Sequence, residues 1–223
     1  MAPAAHQTPD WETIIPLLRE ELADRPQASV TEIAELGGTP FEVLISTMIS
    51  LRTRDEVTLR SSRALFEHAR TPQEMIDLEA ERIAQLIYPA GFYRNKAKQI
   101  RGVSELLLND HGGDVPHTVE ELVALPGVGR KTANLVLGLG FGIPSICVDT
   151  HVHRIPNRAG WIETQNPEQT EDALSKILPR QYWIEINTLL VSHGQGICTP
   201  LSPRCSQCSI ASHCQQRGVD RTR

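Results

Sequence analysis

Four of the chain's five cysteines crowd its last stretch as Cys198-x6-Cys205-x2-Cys208-x5-Cys214. Thiolates gathered this closely call for a soft, multivalent metal centre. Zinc sites commonly use two C-x-x-C hooks set well apart, whereas here one hook is flanked by longer arms. That spacing suits a cubane [4Fe–4S] cluster, whose larger body takes dispersed thiolates as its four ligands. The opening MAPAAHQTPD has no basic start followed by an apolar run, so no secretion signal is expected. The thiols are then expected reduced in the cytoplasm rather than paired as disulfides. Cys147 fits none of these spacings and reads as a small buried apolar residue.

A second constellation lies upstream, in Leu125-Pro126-Gly127-Val128-Gly129-Arg130-Lys131-Thr132-Ala133. Gly127 and Gly129 permit a sharp turn that presents backbone N–H groups. Just ahead of a helix beginning near Arg130, those donors make an anion site suited to a nucleic-acid phosphate. Gly127, Val128, Gly129 and Arg130 are therefore candidate DNA contacts, with Leu125 and Val128 anchoring the hairpin in the core. Lys131 sits in the first turn of that helix. There the positive end of the helix dipole disfavours an ammonium, as partial burial would. A neutral lysine amine is a nucleophile able to form Schiff bases. Farther on, Val148-Asp149-Thr150-His151-Val152-His153-Arg154 places Asp149 at a helix start, where it can cap the helix and still direct one oxygen at chemistry. His151 and His153 are two apart, face different ways on a helix and are not expected to share a metal; His151 is retained as a site-lining residue.

The elements that must position these groups are helices. Thr39-Pro40-Phe41-Glu42, Thr53-Arg54-Asp55-Glu56, Thr71-Pro72-Gln73-Glu74 and Thr118-Val119-Glu120-Glu121 each fit a capping box, and Asn166-Pro167-Glu168-Gln169 repeats the idea. Between the caps, Ile14, Leu17, Leu18 and Leu22, then Ile100, Val103 and Leu107, keep helical spacing. Alternating strand patterns are scarce, which predicts an all-α protein of about ten short helices. Residues 167–197 are expected to support the cysteine segment. No apolar stretch is long enough to cross a membrane.

The net charge of −5 argues against indiscriminate attraction to nucleic acid. The excess acid is concentrated in residues 1–47 (Asp24 among them) and 160–190, leaving the rest net basic. Arg52, Arg54, Arg60, Arg63, Arg94, Lys96, Lys98, Arg101, Arg130, Lys131, Arg154 and Arg158 lie in that remainder, enough for one basic face on an acidic protein.

Taken together, the hairpin, Lys131, Asp149 and the four cysteines resemble the endonuclease III family of helix-hairpin-helix DNA glycosylases over roughly residues 30–215. The resemblance implies two lobes. A six-helix bundle at 33–143 ends in the hairpin; residues 1–32 and 144–223 form an iron–sulfur lobe, with an active-site cleft between. It implies Lys131 as catalytic lysine, Asp149 as catalytic aspartate, and Cys198, Cys205, Cys208 and Cys214 as ligands of a structural [4Fe–4S] cluster. The implied partner is double-stranded DNA with a damaged base or abasic site, acted on by a monomer that is cytoplasmic, or nucleoid-associated in a bacterium. The implied activity is excision of oxidised pyrimidines followed by strand cleavage through β-elimination.

Some positions depart from the family pattern. Arg52 stands where the family commonly has Gln, Phe92 where relatives place an aliphatic wedge, and Arg204 alone keeps a basic charge in the loop Thr199–Arg204. These three join the expected DNA contacts. Adenine-mismatch glycosylases carry a carboxylate where this chain has Thr47 and lack the lysine, and thymine-mismatch glycosylases generally have Tyr in place of Lys131. A non-catalytic iron–sulfur DNA-binding protein would need neither Lys131 nor Asp149.

Overall fold

The computed structural model describes residues 8–23, 25 and 28–223. Residues 1–7, on which the absence of a leader was read, and Asp24 lie outside them. Among the described residues every regular element is a helix. Among the described residues no helix is long and apolar enough to cross a membrane.

The chain divides into two compact units, Ala28–Ser145 and the N-terminal helix with Ile146–Arg223. The first unit holds α2 (Ser29–Glu35), α3 (Pro40–Ser50), α4 (Asp55–Phe66), α5 (Pro72–Asp77), α6 (Ala80–Ile87), α7 (Tyr93–Asp110), α8 (Val119–Ala124) and α9 (Arg130–Phe141). It starts ahead of residue 33 because α2 packs on α3 and α4. The unit thus holds eight helices where the resemblance implies six, α5 and α8 being only six residues long. At its centre α3 is buried from Phe41 to Ile49, as befits a helix apolar on every side, and it packs against α2, α4, α7 and α9. Ile100, Val103 and Leu107 of α7 are fully buried against this core, as their spacing predicts. Each such side chain stabilises the fold by about 1.5–3 kcal/mol.

The second unit joins α1 (Trp11–Ala23) to α10 (Thr150–Ala159), α11 (Pro167–Ile177) and α12 (Glu185–Gly196). Trp11 and Trp161 meet edge to face at 5.1 Å, beside Ile14, Ile15, Leu18, Ile155 and Leu190. Beyond α12 the chain makes only two short 3-10 turns, Cys205–Gln207 and Ala211–His213.

The capping residues act largely as their types demand. Thr39 and Thr71 close complete capping boxes with Glu42 and Glu74, and each is followed by Pro at the helix start. Thr118 and Asn166 accept from the backbone N–H three residues on. Thr53 departs from this rule. The helix there begins at Asp55 with Arg54 at its cap and no side-chain cap bond. The Thr53 hydroxyl is engaged instead by Lys96 Nζ at 2.8 Å and Gly91 N at 3.1 Å.

Candidate functional site

In the unit Ala28–Ser145, the segment 125–129 forms the turn between α8 and α9. Leu125 and Val128 are buried and anchor it, and the Val128 N–H closes the turn on Leu125 O at 3.1 Å. Gly127 takes φ +80°, the left-handed region that favours glycine. Gly129 does not: its φ is −95° and a Cβ there would meet open space. Its contribution is the absence of a side chain at the α9 cap, which leaves the first-turn donors approachable from outside. Arg130 and Lys131 follow, both exposed, while Thr132 and Ala133 turn into the core. Lys131 is thus more exposed than the sequence suggests, because the second position of α9 lies at the rim of the hairpin.

Arg52 and Phe92, distant in sequence, are brought together in the same unit. The guanidinium carbon of Arg52 lies 5.6 Å from the centroid of the Phe92 ring, within reach of a cation–π contact. Both residues adopt left-handed backbone angles, φ +52° and +57°, which L-residues with side chains rarely take. Phe92 is 61% exposed, so it is not a core residue.

Lys96 overturns one expectation. Grouped by sequence with the cations of a phosphate-binding face, it is only 5% exposed. Its Nζ donates to Ile49 O and Leu51 O at 2.6 Å each and to Thr53 Oγ1 at 2.8 Å. Burial pulls its pKa down to about 8. Only the ammonium, however, carries three hydrogens for three oxygens.

In the second unit Asp149 caps α10, its Oδ1 accepting from His151 N at 2.8 Å and Val152 N at 2.9 Å. The carboxylate therefore has a fixed orientation. The two histidines go separate ways, as expected: His151 Nδ1 lies 3.1 Å from Arg154 Nη2, and His153 Nδ1 lies 2.6 Å from Thr170 Oγ1. Cys147 is buried, and its backbone O accepts from Asn187 Nδ2 at 3.0 Å.

Cys198, Cys205, Cys208 and Cys214 line one small cavity with Ile155, Ala159, Ile197 and Ile210. No three His, Cys, Asp or Glu side chains among the described residues converge as they would on a single ion. The four cysteines around one cavity are the thiolate donors that a soft metal centre would take as ligands.

Charged groups surround the cysteine loop, among them Arg154 and Arg158, which the sequence placed on the basic face. Arg158 donates to Cys198 Sγ at 3.3 Å and to Thr199 O and Pro200 O at 2.8 Å each. Arg154 reaches Cys198 O at 2.8 Å. His193 lies 3.8 Å from Cys208 Sγ through Nε2 and 3.0 Å from both Glu21 oxygens through Nδ1. Burial disfavours the His193 cation, yet Cys198, Cys208 and Glu21 outweigh it and push its pKa up to about 11. Burial likewise opposes a Cys198 thiolate, but His193 and Arg158 lower its pKa on balance. Burial raises Cys205 and Cys214, with neighbouring thiols adding to the shift at both. Arg204 is exposed at the edge of the loop.

The comparisons with known proteins follow this geometry. Residues 45–180 match the family described as HhH-GPD superfamily base excision DNA repair protein. The chain is 52% identical over 176 residues to endonuclease III of Thermotoga maritima, covering 79% of this chain and 83% of that one. To endonuclease III of Escherichia coli (strain K12) it is 38% identical over 179 residues, covering 80% and 85%. A solved structure of a trapped endonuclease III–DNA covalent intermediate, an estranged-adenine complex, matches at a TM-score of 0.78 and 34% identity, covering 92% of this chain and 95% of that one.

Proposed function

The chain belongs to the endonuclease III family of HhH-GPD base excision DNA repair proteins, and from that premise we propose a bifunctional DNA glycosylase and abasic-site lyase acting on oxidised pyrimidines in duplex DNA. The observation that carries this reading is a lysine presented in the first turn of a helix that opens from a glycine hairpin, Gly127–Lys131. The hairpin holds a backbone phosphate against uncapped helix donors and so positions the duplex without reading its sequence. A damaged base costs less to unstack and is the one extruded.

Lys131 Nζ then forms a bond to the sugar C1′ as the glycosidic C–N bond breaks, and the base departs with a proton. The sugar ring opens to a Schiff base, which acidifies the C2′ hydrogen. Loss of that proton expels the 3′ phosphate and cuts the strand. Asp149, held by its cap bonds, stabilises the developing positive charge on the sugar and assists in removing the amine's proton. Gly127, Val128, Gly129 and Arg130 contact phosphate, with Arg52, Phe92, His151 and Arg204 as further DNA contacts.

Cys198, Cys205, Cys208 and Cys214 would hold a [4Fe–4S] cluster. Bound there, it supplies a structural cross-link and no open iron site. Arg158 and Arg154 brace the same loop through its carbonyls. Thr47 is buried and donates to Val43 O, which places no carboxylate where adenine-mismatch relatives have one.

The test is borohydride trapping on duplex DNA carrying thymine glycol. Wild type gives a covalent adduct, and Lys131→Gln lowers its yield by about 10^3-fold or more. An adduct of equal strength in that variant removes Lys131 from its role. Iron in excess of zinc, with a visible charge-transfer band, identifies the cofactor.

A further inference from the structure

Two exposed loops of the unit Ala28–Ser145, 50–53 and 88–92, carry Arg52 and Phe92, and something must hold both in uncommon backbone conformations. The left-handed region costs a residue with a side chain about 1–2 kcal/mol, and an exposed Phe gains little from folding. The restraint visible in the structure is a buried ammonium. Ile49 O and Leu51 O are carbonyls at the C-terminal end of α3, where the helix dipole is negative and a cation is favoured. Lys96 Nζ binds both of them, and with its third hydrogen it binds Thr53 Oγ1.

That hydroxyl oxygen also accepts from Gly91 N, the residue before Phe92. The loops touch backbone to backbone here, because a Cβ on Gly91 would stand 2.5 Å from Arg52 O. Lys96, Thr53 and Gly91 thus join the two loops immediately beside the Arg52–Phe92 pair.

The geometry points to Lys96 as a positioning residue, whose ammonium clamps loop 50–53 to loop 88–92 and holds Arg52 and Phe92 as one preformed cation–aromatic wedge for an opened base step. Its amine touches no substrate. Prepositioning matters because a wedge must enter the stack as the base leaves, and ordering it at that moment would weaken binding. The inference rests on the glycosylase reading above, since it assigns the wedge a duplex to open.

Lys96→Met keeps the stem and removes the three donors. Two rates are measured on the purified iron-loaded protein: single-turnover excision from a thymine glycol duplex, and borohydride trapping on a single-stranded abasic oligonucleotide, which has no base stack to open. The duplex rate is expected to fall about tenfold or more while single-strand trapping stays within about twofold of wild type. Phe92→Ala should lower the duplex rate by a similar factor, and on the duplex the double variant should be little worse than Phe92→Ala alone, because both changes remove one device.

Equal loss on both substrates signals a general folding defect and overturns the proposal, as does an unchanged duplex rate or an additive double variant. Thr53→Val, nearly isosteric and lacking the shared acceptor, carries the same test if Lys96→Met does not fold. A wild-type protein inactive on both substrates would overturn the glycosylase reading itself. An active wild type with an insensitive Lys96→Met overturns the clamp alone.

Discussion

The hairpin at 125–129 is held by burial: Leu125 and Val128 insert into an aliphatic core that includes every residue from Val43 to Ile45. The loop from Cys198 to Cys214 has less such support, with Cys198 and Ile210 its buried apolar anchors. Its shape comes from Arg158, Arg154, His193 and Glu21, whose charges bind thiols, carbonyls and one another. Burial is non-directional and tolerant of small shifts. Buried charges are directional and costly when a partner is lost. The hairpin and the cysteine loop therefore differ in what threatens them: loss of volume in one, loss of a ligand or a charge in the other.

Stripping the proposed cluster with chelator and oxidant is the most drastic way to expose that contrast. Amide-exchange protection across residues 197–217 should collapse while α3, α7 and α9 stay protected; equal loss in both units would erase the distinction. Leu44→Ala is the converse, expected to cost about 3 kcal/mol in denaturant unfolding of Ala28–Ser145, with the visible band of the cluster retained. Asp149 belongs to the charge-held unit but is fixed by local cap bonds. Asp149→Asn should slow turnover about 100-fold while unfolding free energy changes by less than about 0.5 kcal/mol, because Asn caps as well as Asp. Asp149→Ala should lose about 1 kcal/mol of stability besides.

The smallest effect concerns one buried charge of the aliphatic unit, Lys96. Lys96 has a folded-state pKa near 8 against 10.5 for the free side chain. Between those values the unfolded chain binds more protons than the folded one, so unfolding free energy rises with pH across that window. Its three partners are all uncharged. The rise should appear in wild type and be absent from Lys96→Met in urea titrations at matched pH.

What the sequence made legible was local. Capping threonines, prolines at helix starts, the hairpin and the cysteine spacing each declare themselves within a few residues, because a cap or a turn is satisfied by its neighbours. Family resemblance extended this to Lys131 and Asp149. The misreadings arose at long range. Lys96 looked like a solvated cation because its acceptors lie 43 to 47 residues away, and Thr53 looked like a helix cap because its true donors are Lys96 and Gly91. Arg158 was grouped with surface cations, although its partners near Cys198 lie 40 to 42 positions on. Charge patterns along a chain do not reveal which cations the fold will enclose.

Helix α10 begins at the Asp149 cap and ends beside Arg158, so one rod carries both a candidate catalytic oxygen and the main brace of the metal loop. Inserting a single residue between them would swing the guanidinium about 100° around the axis, away from the sulfur it steadies. The number of residues separating these two therefore matters as much as their identities, whereas a polar exchange on the rod's outer face leaves that register intact.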